Sequence, residues 1–130
     1  MDFNSLLDQA RAARERAYAP YSRFAVGAAL RAKSGLVFTG CNVENLSFGL
    51  TICAERNALC AAIAAGEREF DAIAIVADSR EPVTPCGACR QVLAEFAPQL
   101  AICCSNLEGR TFTSDLGQLL PRATEGILGT

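Results

Sequence analysis

Residues 71–105, DAIAIVADSREPVTPCGACRQVLAEFAPQLAICCS, carry two apolar runs on either side of a segment framed by prolines. The run "DAIAIVAD" at 71–78 is almost continuously apolar with β-branched residues, the pattern of a strand buried on both faces. "LAICCS" at 100–105 reads as a second buried strand. Between them, Pro85 opens and Pro98 closes a short helix.

Upstream, Leu6, Leu7, Ala10, Ala13 and Ala17 recur at the spacing of one helix face, so the sequence predicts a helix over 4–17. Asn4 is its expected cap and Pro20 its stop. "FAVGAAL" and "LVFTG" read as two strands joined in a hairpin across Lys33-Ser34-Gly35. The polar, glycine-bearing "CNVENLSFGLT" reads as a loop, and an alanine-rich helix follows from Cys53 to Ala65 with Gly66 as its stop. Downstream, "RTFTS" predicts a short strand, and "SDLGQLLP" a last helical turn or two capped by Ser114. The order of elements implies a three-layer α/β/α sandwich around a mixed five-stranded sheet. No linker, repeat or low-complexity tract interrupts the chain, so residues 1–130 are expected to form one domain.

Bulk properties narrow the function. Twelve basic against fourteen acidic residues give a net charge of −2, and no Lys/Arg run could track a phosphate backbone. Nucleic acid is therefore not an expected partner. No apolar run reaches the roughly 18 residues that span a bilayer, and the opening "MDFNSLLDQARAARER" has mixed, helically spaced charges unlike a signal peptide. A soluble, cytoplasmic protein with no membrane partner is expected. Seven cysteines in a reducing compartment point to metal or free thiols rather than disulfides.

Three of those cysteines fall at helix starts: Cys53 at one, Cys86 and Cys89 at the next. Cys86 and Cys89 are three apart and share a face in the first turn. A helix N-terminus places partial positive charge beside the sulfur and favours thiolate, the ligand form. Three thiolates make a metal pocket with one position left over, and three protein ligands plus water is the arrangement of catalytic zinc, whereas structural zinc takes four. Glu55, two residues after Cys53, stands within reach of such a water and has the chemistry to move its protons.

The combination of Cys-Ala-Glu at 53–55 and Pro-Cys-Gly-Ala-Cys at 85–89 resembles the zinc-dependent cytidine deaminases, specifically the small homotetrameric kind with three cysteine ligands. "AYAPYSRFAVGAAL", "GCNVEN", "TICAERNAL" and "TPCGACRQV" extend the resemblance, in family order, over nearly the whole chain. It implies one Zn²⁺ per chain on Cys53, Cys86 and Cys89, and hydrolysis of cytidine or deoxycytidine to uridine or deoxyuridine and ammonia. A water on the zinc would attack ring carbon 4, with Glu55 shuttling protons to ring nitrogen 3 and the leaving amine. Asn42 and Glu44 match the family's ribose-binding Asn-x-Glu, Phe24 the position packing near the pyrimidine, and the Ala54 backbone a contact to the base.

Three thiolates around Zn²⁺ leave a net −1, which makes a bound water less acidic than in a neutral-ligand site. Arg56 is the expected remedy, hydrogen-bonding to the sulfur of Cys53 or Cys86, with Arg90 a second candidate. Two positions depart from the family. Phe48 stands where relatives usually carry a tyrosine that reaches a neighbouring subunit's pocket. In "LLPRATEGILGT" no aromatic follows Leu-Leu-Pro, so the cross-subunit stacking that the resemblance implies is weakened or is replaced by Ile127 or Leu128. The tail "GILGT" suits burial in an interface of the implied tetramer.

Cys60, Cys103 and Cys104 are expected to be core packing, as is Cys41 at a strand end. Rival readings are a deaminase of another aminopyrimidine (a modified nucleoside, free cytosine or blasticidin S), a nucleic-acid deaminase, and a non-catalytic zinc or Cys-x-x-Cys redox module.

Overall fold

In β1 (Val26–Ala32), Ala28, Leu30 and Ala32 face one side of a sheet while Ala29 faces the other, since successive strand side chains alternate. β3 (Phe70–Ala77) repeats the division: Ile73 and Ile75 join the first side, Ala72, Ala74 and Val76 the second. So does β4 (Ala101–Ser105), with Ile102 and Cys104 opposite Cys103. Two buried faces explain why these strands read as continuous apolar runs. The computed structural model describes residues 2–126, so the positions of Ile127, Leu128 and most of the GILGT tail lie outside the described residues.

β2 (Val37–Cys41) and β5 (Thr111–Asp115) form the edges of a five-stranded sheet ordered β2-β1-β3-β4-β5. β3 and β4 run parallel; the other neighbours are antiparallel. This is the expected mixed sheet. On the first face pack α2 (Ala54–Ala64), α3 (Gly87–Ala94) and the short α4 (Leu116–Leu119); on the second packs α1 (Asn4–Arg14) through Phe3, Leu6 and Ala10. The expected three layers are present.

Small side chains let the layers approach closely. A Cβ on Gly40 of β2 would lie 2.4 Å from the Ala54 carbonyl oxygen and 2.5 Å from the Ala58 nitrogen. The glycine therefore seats the start of α2 directly on the sheet edge. Asn57 completes that joint, its Nδ2 donating to the Cys41 carbonyl at 2.8 Å.

Several boundaries differ from the sequence expectation. α1 ends at Arg14, not at Ala17, and its first-turn amide at Asn4 donates to Asp2 Oδ1, so Asp2 does the work expected of Asn4. α3 is shorter than its proline frame: Pro85 precedes the helix, and Ala94 is its last residue, short of Pro98. α4 is capped by Asp115, whose Oδ1 accepts from Gln118 N, rather than by Ser114. Gly66 does stop α2, with φ at +98°.

Cys103 and Cys104 are buried as expected, and burial pushes Cys104 up to about 12. Cys60 is not: it is exposed. The buried stripe of α2 runs through Ala54, Ala58, Leu59 and Ala62, and Cys60 lies one residue off it, rotated about 100° from Leu59. Cys41 is half-buried.

Candidate active site

Cys53 and Cys86 are the residues immediately preceding α2 and α3, and Cys89 lies in the first turn of α3. Since both helices lie on one face of the sheet, their N-termini meet. The Cys53 and Cys86 sulfurs are 3.9 Å apart, and all three sulfurs lie within 4.8 Å of one another. Thiolates at tetrahedral corners about 2.3 Å from a zinc ion are about 3.8 Å apart, so the cluster has the dimensions and the donor chemistry of a three-thiolate zinc site. Among the described residues it is the one group of three Cys, His, Asp or Glu side chains close enough to share an ion.

The electrostatics agree. The Cys89 thiol beside Cys53, helped by Arg56, holds Cys53 down to about 5 against the opposing effect of burial. Cys89 is pushed up by the same contact and by burial. Arg56 Nη2 donates to Cys53 Sγ at 3.4 Å, and the sulfurs keep the guanidinium cationic by raising its pKa. Arg90 goes elsewhere: it donates to the Pro85 carbonyl at 2.7 Å, the Leu119 carbonyl at 2.9 Å and Thr84 Oγ1 at 3.0 Å. It clamps the approach to α3 onto α4 and does not touch a sulfur through any of these bonds.

Glu55 is only 5% exposed. Burial raises its pKa, and the charge on Cys53 raises it further. A divalent cation among the thiolates would oppose both effects. Beside it opens a cavity of about 270 Å³ lined by Phe24, Asn42, Glu44, Cys53, Ala54, Glu55 and Cys86 together with Ser22, Val26, Thr51, Ile75, Val83 and Thr84. The candidate base, two candidate ligands and all four substrate-contact candidates thus share one wall-lined space. Cys89 stands behind, fully buried.

The segment that carries Asn42 and Glu44 is held in an extended conformation between two neighbours. Tyr18 N donates to the Asn42 carbonyl, Glu44 N to the Tyr18 carbonyl, and Val43 exchanges two bonds with Ile52. Asn42 is buried, with Oδ1 accepting from Val26 N at 2.9 Å and Nδ2 donating to the Phe24 carbonyl at 2.8 Å. Glu44 Oε1 accepts from Tyr21 N at 3.0 Å and Ser22 N at 3.1 Å, and Oε2 accepts from the Ser22 hydroxyl. That hydroxyl bond is the main reason the Glu44 carboxyl is held below the usual range. With four lone-pair sites and three donors, the carboxylate keeps one acceptor site on Oε2.

Phe48 lies apart from this cavity, in a 3₁₀ turn (Phe48–Leu50), 72% exposed and edge-on to Tyr21 at 5.7 Å. It lines a smaller neighbouring cavity of about 250 Å³ with Tyr21, Ser22, Glu44 and Thr51.

Sequence reasoning missed Ser22, Thr51, Val83 and Thr84. Val83 and Thr84 directly precede Pro85-Cys86, and Thr51 precedes Cys53 by two, so proximity to the ligands was a usable signal. Ser22 carried a different one: a serine two residues before Phe24 can accept that residue's amide hydrogen, and it does so at 3.0 Å.

Comparison with known proteins agrees with this geometry. Residues 2–105 match the model of the cytidine and deoxycytidylate deaminase zinc-binding region. A cytidine deaminase of Halalkalibacterium halodurans is 52% identical over 124 residues, covering 95% of this chain and 94% of that protein. One from Sporosarcina psychrophila is 48% identical over 124 residues, covering 95% and 91%. The crystal structure of cytidine deaminase from Burkholderia pseudomallei, 53% identical, superposes with a TM-score of 0.91 over 94% of this chain and 98% of that one. A three-sulfur cluster at two helix starts, a buried glutamate beside it and a relative matched over 95% of the chain lead to one conclusion: the chain belongs to the cytidine and deoxycytidylate deaminase family of zinc enzymes.

Proposed function

We propose that this protein hydrolyses the amino group of cytidine or deoxycytidine, giving the uracil nucleoside and ammonia. The observation that carries the reading is the shared cavity: Cys53 and Cys86 of the sulfur cluster, the buried Glu55 and a wall that includes Phe24, Asn42 and Glu44 meet in about 270 Å³. Cys53, Cys86 and Cys89 are the residues to hold one zinc ion, which when bound supplies the Lewis acidity that makes water nucleophilic at neutral pH.

The remaining chemistry belongs to the chain. Glu55 takes a proton from the attacking water and delivers it to ring nitrogen 3, then assists the amine at ring carbon 4 to leave as ammonia. Its burial excludes competing solvent from that transfer. Phe24 borders the pyrimidine and the Ala54 backbone contacts the base. Asn42 and Glu44 receive the sugar, Glu44 through the acceptor site left on Oε2. Arg56 draws charge from the sulfurs.

We take residues 1–130 as one domain, a reading supported by the single sheet, and the assembly as a homotetramer with shared active sites. Val43, Leu46, Phe48, Leu50 and Ile52 are all large, apolar and at least 42% exposed, which is a surface that another protein face should cover. Phe48, at the cavity next to the active site, is the residue a neighbouring copy would share. No helix among the described residues is long and apolar enough to cross a membrane, and the free cysteines suit a reducing, cytoplasmic setting.

A substrate panel tests the reading. Initial rates with cytidine, deoxycytidine, cytosine and blasticidin S should favour the two nucleosides by at least tenfold over the others. Preferential turnover of blasticidin S or free cytosine would overturn the nucleoside assignment and leave the deaminase chemistry standing.

A further inference from the structure

One side chain of the cavity wall ties together the two ends of the substrate site. The Ser22 hydroxyl donates to Glu44 Oε2 and accepts from Phe24 N at 3.0 Å. Between Ser22 and Phe24, Arg23 has φ of +58°, a left-handed conformation that an L side chain adopts only when its surroundings impose it. The surroundings here are bonds on both sides: Arg23 N to the Ala19 carbonyl at 2.9 Å, Tyr21 N and Ser22 N to Glu44 Oε1, and Asn42 Nδ2 to the Phe24 carbonyl at 2.8 Å. Through the hydroxyl, the direction of the Glu44 carboxylate and the backbone that aims Phe24 are fixed together.

We propose that Ser22 is a positioning residue for nucleoside recognition, its hydroxyl setting Glu44 toward the sugar and Phe24 toward the base at once. The inference rests on the nucleoside deaminase reading above. Ser22 occupies one acceptor site of Oε2 and so directs the site that remains. Without the hydroxyl, Glu44 keeps only the two amide bonds on Oε1, so Oε2 is no longer directed, and the left-handed turn at Arg23 loses one of its restraints. Ground-state binding weakens, while the cluster and Glu55, which take no part in the Ser22 hydrogen bonds, keep their geometry.

The test uses the zinc-loaded enzyme with cytidine. Ser22→Ala should raise KM five- to tenfold with kcat within twofold of the parent, and Ser22→Thr, which keeps a hydroxyl, should restore KM to within threefold. In a Glu44→Gln background, Ser22→Ala should change KM by less than twofold further, because the hydroxyl acts through the carboxylate. Amide hydrogen exchange supplies a readout independent of turnover: the Phe24 amide should exchange at least tenfold faster in Ser22→Ala. A KM within twofold of the parent, a fall in kcat alone, unchanged Phe24 exchange or a variant that fails to fold would each overturn the proposal. A parent that leaves cytidine untouched would instead overturn the deaminase reading, and the exchange rates would still decide whether the clasp exists.

Discussion

Arg56 Nη2 donates to Cys53 Sγ across 3.4 Å, which sets a permanent cation against the three-sulfur cluster that could hold a metal ion. Three thiolates overcompensate a divalent ion by one negative charge, and a guanidinium hydrogen-bonded to sulfur draws part of it away. Arg56→Ala should therefore retain one zinc per chain and lose about 10- to 100-fold in kcat, the range typical of residues that support metal ligands. Zinc analysis and steady-state rates on the same sample check it. Unchanged rates would remove Arg56 from the mechanism.

Gly40 links the fold to the site, because a Cβ there would meet Ala54 O at 2.4 Å and Ala58 N at 2.5 Å. Gly40→Ala must push α2 outward, at a cost of about 1–3 kcal/mol for overpacking. For a domain of this size that lowers Tm by several degrees. Since α2 begins at Ala54 and carries Glu55, kcat should fall with it. A variant with the parent's Tm and kcat would show that the joint tolerates displacement.

Glu44 predicts a pH effect with a definite sign. Its carboxyl is held below the ordinary 4.5 by the Ser22 hydroxyl and the Ser22 and Tyr21 amides. A carboxyl with a depressed folded value stabilises the loop above its unfolded pKa, and the contribution is lost as pH falls through the folded value. The amide signals of Tyr21 and Ser22, followed by NMR, should show an inflection below 4.5 that moves up toward 4.5 in Ser22→Ala. An inflection at the same pH in both proteins would contradict the contacts.

The exposed apolar side chains of Val43, Leu46, Phe48, Leu50 and Ile52 predict association. Sedimentation of the parent should give four times the chain mass, and Leu46→Asp with Leu50→Asp should shift it toward smaller species while the fold is retained. A parent that sediments as a monomer would contradict the tetramer.

Residues whose behaviour follows from local pattern were legible in the sequence. Ile73, Ile75 and Ile102 announce buried strands by composition, and Gly66 stops a helix because only glycine takes its φ without cost. The sulfur cluster was legible because helix starts and Cys spacing are local features. What escaped depends on a partner far along the chain. Arg90, the second candidate after Arg56 in sequence, has its guanidinium claimed by carbonyls of Pro85 and Leu119, the second 29 residues away. Cys60 read as core on an alanine-rich helix, where one residue of rotation separates buried from exposed. Ser22 went unread because Glu44, which gives it a task, is 22 residues distant.

The most direct measurement pairs zinc content with cytidine turnover for the parent and Glu55→Ala. One zinc per chain is expected in both proteins, with turnover by Glu55→Ala reduced at least a thousandfold. Equal turnover in the two, or a parent protein that holds no zinc while converting cytidine, would contradict it.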